Sequence, residues 1–233
     1  MIRWEGRSLA GFDLETTSAD PQTARIVTAS VVGFDGQGAT VTSWLANPGV
    51  PIPAEASAIH GVTDEMAVAK GESPRVVVDA VQIILASHAK LMPVVIFNAA
   101  YDLTVLDREA RRNNLTPLDL SGVLIVDPHV LDKATDRYRK GKRTLTACCA
   151  HYGVDLDGAH QSEADALAAM RVAWVIRSRH PHLGTLPGPR LMEYQATCRA
   201  GQSKSLAAYF ARTGKPEQVD GSWPVIPWTG DSS

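Results

Sequence analysis

Three stretches of strand character follow one another between Leu9 and Ala46, and the connections between them are too short for a parallel crossover. Gly11 to Thr17 follows Ser8-Leu9-Ala10 and precedes the turn formers Ser18-Ala19-Asp20-Pro21, so it reads as a short buried strand. Arg25 to Phe34 is rich in β-branched residues, Asp35-Gly36-Gln37-Gly38 supplies hairpin-turn chemistry, and Ala39 to Ala46 is the returning strand. An antiparallel meander is the expected start of the fold.

The rest of the chain alternates helix and strand. Gly61 offers a stop to a short helix that starts near Ala54, and Thr63 offers a fresh N-cap. Ser73-Pro74 opens a helix in which Val76, Val77, Ala80, Val81, Ile84 and Leu85 recur at helical spacing. Met92 to Phe97 is an almost unbroken apolar run of strand length, of the kind buried on both faces. A helix bearing Leu103, Leu106 and Ala110 follows Asn98, and the strand Val123 to Val126 ends at Asp127. Thr144 caps a helix through Ala150, and another runs from Ser162 to about Ser178 with Ala164, Leu167, Ala168, Val172 and Val175 as its core stripe. Such alternation calls for an α/β domain with helices covering a central sheet.

With 233 residues, the chain suits one compact domain with an appendage. Residues 1–180 are expected to form the domain. Residues 181–233 would then comprise a linker rich in Pro, Gly and His, one or two amphipathic helices within Arg190 to Arg212, and an extended tail around Trp223 to Trp228. The shares of hydrophobic (45%) and charged (21%) residues are those of a soluble protein with a sizeable core. A net charge of −2 gives no global basic field, so a nucleic-acid partner would be held by local patches or by bound metal. Cys148, Cys149 and Cys198 imply neither a disulfide framework nor a zinc ribbon, and read as free thiols in a reducing compartment. Arg3, Glu5 and Arg7 do not suit a secretory signal, and no apolar run is long enough to span a membrane, so a cytoplasmic protein is expected.

Chemistry enters with the acids. On a strand, residues two apart share a face, which sets the carboxylates of Asp13 and Glu15 side by side. Two like charges there are tolerable if a cation sits between them, and hard oxygen ligands suit Mg²⁺ or Mn²⁺. Asp102 stands at the start of the helix after the fourth strand, and Asp165 in the first turn of a later one. In an α/β domain, strand C-termini and the neighbouring helix N-termini gather at one edge. Two divalent ions would balance four carboxylates there and form an in-line phosphoryl-transfer clamp. His160, on the loop five positions before Asp165, suits a general base, since histidine has an unperturbed pKa of about 6.5. Lys133 to Arg143 is basic with Tyr138 interleaved, which fits either a solvated face or a loop that follows a single strand.

Taken in order, Asp13-x-Glu15-Thr16-Thr17, Asn98-x-x-x-Asp102 and His160-x-x-x-x-Asp165 resemble the three motifs of the DEDDh (DnaQ-like) 3′→5′ exonucleases. That group includes proofreading epsilon subunits, RNase T and oligoribonuclease. Ile59-His60-Gly61-Val62-Thr63 and the strand-end Asp127 also resemble the family pattern, and the likeness runs from about Leu9 to Ser178. It implies a ribonuclease H-like fold with a five-stranded mixed sheet, order 3-2-1-4-5, whose second strand is antiparallel to its neighbours. It further implies 3′→5′ hydrolysis of single-stranded DNA or RNA with two Mg²⁺ or Mn²⁺, and a polymerase or replication partner.

By the same resemblance Asp13 would bridge both metals, Glu15 and Asp165 would help to hold the one that activates water, and Asp102 would support the other. His160 would take the proton of the attacking water. Leu14 and Thr16 would meet the terminal nucleotide, with His60 and Asn98 nearby. Ser18, Phe97, Gln161 and Ser162 depart from residues common in the family, which bears on substrate preference more than on activity. The competing class is a non-catalytic nucleic-acid-binding or polymerase-accessory module, against which retention of all four acids and the histidine argues.

Overall fold

A computed structural model describes residues 2–214 and 219–230; the expected extension therefore lies outside the described residues at 215–218 and 231–233. Five strands, β1 (Leu9–Thr16), β2 (Ile26–Phe34), β3 (Ala39–Leu45), β4 (Val94–Val95) and β5 (Ile125–Val126), form one sheet in the order β3-β2-β1-β4-β5. The β1–β2 and β2–β3 pairs are antiparallel, and the β1–β4 and β4–β5 pairs are parallel. This is the ribonuclease H-like order expected from the sequence.

The helices are α1 (Ala54–His60), α2 (Asp64–Lys70), α3 (Pro74–Ala89), α4 (Ala99–Arg112), α5 (Pro128–Thr135), α6 (Leu145–Tyr152), α7 (Ser162–Arg179), α8 (Pro181–Thr185) and α9 (Gly188–Arg212). Their ends follow local chemistry. Gly61 stops α1 at φ 77°, a left-handed conformation that costs glycine little. The Thr63 and Thr144 hydroxyls accept from Met66 N and Ala147 N at the starts of α2 and α6.

The central strands are buried on both faces, while the edge strand β3 is largely exposed. Ala10, Phe12 and Leu14 of β1 point towards α3 and α4, where Val77, Val78, Val81, Leu85, Leu103 and Leu106 complete one core. The inward face of α3 is thus turned slightly from the expected one, and Val76 is exposed. Leu9 belongs to the second core, with Val95, Val126, Ala169, Val172 and Ile176 under α7. Gly11 lets α7 lie directly on β1, because a Cβ there would meet Met170 Sδ at 2.6 Å and the Ala166 carbonyl at 2.9 Å.

The fourth and fifth strands are shorter than their apolar runs suggest. Pro93 has no N–H for the ladder, so β4 begins at Val94, although the Pro93 carbonyl still accepts from Ala10 N at 2.9 Å. The run from His180 to Pro189, read as a linker, holds α8, and Leu183 is fully buried. Beyond it a single helix, α9, covers the exposed edge of β5. Gln195 of α9, itself buried, accepts from Asp127 N at 2.7 Å and donates to the Ile125 carbonyl at 2.8 Å, satisfying groups that a sixth strand would otherwise have to pair. Cys148 and Cys149 are free and buried, and Cys198 is free and half-buried. Among the described residues no helix is long and apolar enough to cross a membrane.

Candidate active site

At the C-terminal end of β1 the alternation of side chains puts Asp13 and Glu15 on the α7 face, opposite Phe12 and Leu14. The register with β2 slips between Glu15 and Thr16, and this bulge bends the strand end where the acids stand. Asp165 arrives from the first turn of α7. That turn is fixed to the sheet by the buried Ser162 hydroxyl, which lies 2.8 Å from Ser30 Oγ and accepts from Thr28 Oγ1 at 3.1 Å. A sequence departure at Ser162 therefore has a structural use.

Asp102 comes from α4, on the other side of the sheet. Beyond the short β4 the Leu14 N–H has no strand partner on that side, and Asp102 Oδ1 accepts it at 3.1 Å. Burial pushes the Asp13 carboxyl well above the usual range, and the charges of Asp102, Asp165 and Glu15 push it further. Asp102 is likewise raised by burial, with Asp127 and Glu15 adding to the effect against the Leu14 hydrogen bond. Glu15 is pushed up to about 7 by burial and by Asp165. Asp165 is raised by burial, while His160 opposes the shift. The four acids expected to converge do so, drawn from β1, α4 and α7.

His160 joins them. Ligand atoms of Glu15, His160 and Asp165 all lie within 4.8 Å of one another. The histidine is exposed on its loop at φ 66°, a left-handed conformation unusual for a residue with a Cβ, and its N–H donates to Asp165 Oδ2 at 3.2 Å. The other oxygen, Asp165 Oδ1, is buried without a hydrogen-bond partner. A cation fits this donor set: hard oxygens, an orphaned lone pair, and mutual repulsion to be relieved.

The expected substrate residues surround the same end of β1. Tyr101 Oη donates to the Ser18 carbonyl and also touches Thr16 Oγ1, pinning the turn after β1. His60 Nδ1 accepts from Val62 N at 3.2 Å, which leaves the proton on Nε2; that atom is buried, near the Thr16 backbone but outside hydrogen-bond geometry. Burial holds the His60 pKa below its ordinary value. Asn98 does not cap α4 with its side chain. It sits at φ 64°, and Asp127 caps in its place, accepting from Asn98 N at 2.9 Å and Ala99 N at 3.0 Å.

Asp127 does more than a strand-end acid need do. It also accepts from His129 N at 3.0 Å and Val130 N at 3.3 Å at the start of α5, and from Trp223 Nε1 at 3.1 Å in the tail. The tail thereby straps α4: Ile226 N donates to Thr104 Oγ1 at 2.9 Å, and buried Arg108 donates to the Ile226 and Pro227 carbonyls at 2.8 and 3.1 Å. Sequence reasoning missed Trp223, Arg108 and Tyr101 because their partners lie far along the chain. Trp223→Phe keeps the packing and removes one donor to a buried carboxylate, a loss of about 1–3 kcal/mol. The expected result is a several-fold fall in kcat with KM unchanged; a melting-temperature drop with kcat intact would confine the strap to stability.

A family model described as exonuclease (RNase T) matches residues 10–173. DNA polymerase III subunit epsilon of Treponema pallidum (strain Nichols) is 27% identical over 175 residues, covering 74% of this chain and 78% of that protein. Of the solved structures, E. coli exonuclease I in complex with a dT13 oligonucleotide matches with a TM-score of 0.65 at 19% identity, over 76% of this chain and 42% of its own. A moderately thermophilic exonuclease I from Methylocaldum szegediense matches at 0.61 and 22%, over 75% and 41% respectively. The chain spans less than half the length of these exonuclease I chains, and identities this low bear on fold alone.

Proposed function

The chain belongs to the exonuclease family whose pattern spans residues 10–173, and on that premise we propose that it is a metal-dependent enzyme that trims single-stranded DNA or RNA from the 3′ end, releasing nucleoside 5′-monophosphates. The observation that carries this reading is the convergence of Asp13, Glu15, Asp102 and Asp165 on one corner at the price of raised pKa values.

In this reading Asp13, Glu15, Asp102 and Asp165 hold two Mg²⁺ or Mn²⁺. Bound there, such ions make water nucleophilic at neutral pH and offset charge on the leaving oxygen. His160 takes the proton of the attacking water, within the same cluster as Glu15 and Asp165. Leu14, Thr16, His60 and Asn98 hold the terminal nucleotide, with the His60 ring buried against the Thr16 backbone. The chemistry belongs to residues 1–180, and residues 181–233 support it through α9 and the tail. A replicative polymerase partner belongs to the same reading through the likeness to a polymerase subunit.

Incubation of 5′-labelled DNA and RNA 20-mers with Mn²⁺ and with chelator tests it. Progressive shortening from the 3′ end in Mn²⁺ alone is expected, and the relative rates on DNA and RNA give the preferred sugar. Intact oligonucleotides that are nevertheless bound would mark an accessory module instead.

A further inference from the structure

The basic run from Lys133 to Arg143 divides in two. Arg139 and Arg143 turn inward to buried Asp132, at 2.8 and 2.7 Å, where Tyr152 Oη also donates at 2.9 Å. Their charges are spent within the fold. Lys133 is different: among the described residues it forms no ion pair, and its neighbour across the α5–α9 packing is another cation without one, Arg199.

Side chains one turn apart on a helix share a face, so His129 and Lys133 of α5 lie together, as do Arg199 and Gln202 of α9. Gln202 Nε2 donates to the Val130 carbonyl at 3.0 Å and seats one face on the other. Arg199 Nε and His129 Nδ1 are buried at this junction with no hydrogen-bond partner. Burial, with the nearby charges of Arg199 and Arg143, depresses the Lys133 pKa, against the opposing pull of Asp127 and Asp132. The same burial, with the Lys133 charge, holds His129 down to about 3, so its ring is neutral and can donate a single N–H. The two carboxylates that face the junction are already taken up, Asp132 by Arg139, Arg143 and Tyr152 and Asp127 by backbone N–H groups and Trp223, so the like charges and orphaned donors gathered there suit a further anion.

The junction lies beside the residues that start α4 and α5. His129 follows the capping Asp127 by two residues, and its ring lies 5.3 Å from that of Phe97, the neighbour of Asn98. Lys133 is six residues beyond Asp127, roughly 9 Å along the helix at about 1.5 Å per residue. We propose that Lys133 and Arg199, with His129 beside them, form a subsite for an internal phosphate of the bound single strand, upstream of the terminal nucleotide. The subsite rests on the exonuclease reading above. Half of it is supplied by α9, which lies beyond the residues that the family model matches. A guanidinium and an ammonium suit the two free oxygens of a phosphodiester.

The full chain with Mn²⁺ is tested on two substrates: a dT10 oligonucleotide, and the p-nitrophenyl ester of thymidine 5′-monophosphate, which has no upstream phosphate. Lys133→Gln and Arg199→Gln should each raise KM for dT10 about tenfold with kcat within twofold, leave the ester unaffected, and flatten the log–log salt slope by ~0.7 per charge removed. Arg199→Lys should restore most of the loss, which a packing defect would not allow. Unchanged KM and slope, or equal losses on both substrates, would overturn the subsite. If the wild type cleaves neither of these nor the RNA 20-mer, the exonuclease reading falls separately. Anisotropy titration of labelled dT10 then still decides the subsite: weaker binding by Arg199→Gln supports it, and equal binding refutes it.

Discussion

Asp13→Asn is expected to lower kcat by at least about 10³-fold while raising the melting temperature in metal-free buffer. The first effect follows from the position of Asp13, whose carboxylate is the one to which the other three acids are all coupled. The second follows from the sign of the same couplings. Burial and three like charges disfavour the ionised form, and an amide of the same shape carries none of that cost. At pH 8 each kcal/mol relieved corresponds to roughly 2–4 °C in a chain of this size. Loss of activity together with a gain in stability is the signature of a charge kept for function. A catalytic fall accompanied by a lower melting temperature would instead place Asp13 among residues that hold the fold.

His160→Asn should cost about 10² to 10⁴ in kcat, the usual worth of a positioned proton acceptor, with KM and melting temperature near those of the wild type. Asparagine is the informative replacement because residue 160 sits at φ 66°, where asparagine is among the better tolerated side chains. The backbone N–H that reaches Asp165 Oδ2 is kept, so only the imidazole is removed. Steady-state kinetics on the labelled 20-mer measure the effect. A rate within threefold of wild type would remove His160 from the chemistry.

Much of this architecture was legible because short-range rules decide it. Turns at Asp35-Gly36 and Ser18 to Pro21 leave three strands no arrangement but a meander, and the following β/α alternation fixes where strand ends and helix starts meet. Asp13, Glu15, Asp102, His160 and Asp165 were therefore placeable at one corner before any coordinates. What escaped is what distant segments do to one another. Gln195 pairing the β5 edge depends on a helix about 70 residues away, and no local pattern marks it. The stretch 180–189 has the composition of a linker, yet Leu183 finds a buried place under α7, and packing overrides local propensity there. The left-handed backbone of Asn98 becomes understandable only once Asp127 takes over the two N–H groups. The basic run gave no hint of which cations turn inward, because Asp132 looks like any helical acid until it is seen to be buried.

Electrostatic relief at the acid corner is most directly measured by melting temperature against pH, with chelator and with millimolar Mn²⁺. An acid whose pKa is higher folded than unfolded binds its proton more tightly in the fold, so stability is greatest below that window and falls as pH climbs through it. With Asp13, Asp102 and Asp165 raised and Glu15 at about 7, chelated protein should lose stability steadily from about pH 4 to pH 7. Mn²⁺ at 100 times its dissociation constant should return about 2.7 kcal/mol at pH 8, roughly 5–10 °C, and far less at pH 5, where protons already neutralise the site. A chelated melting temperature that is flat or rises across that range, with no shift on adding Mn²⁺ at pH 8, would contradict the account.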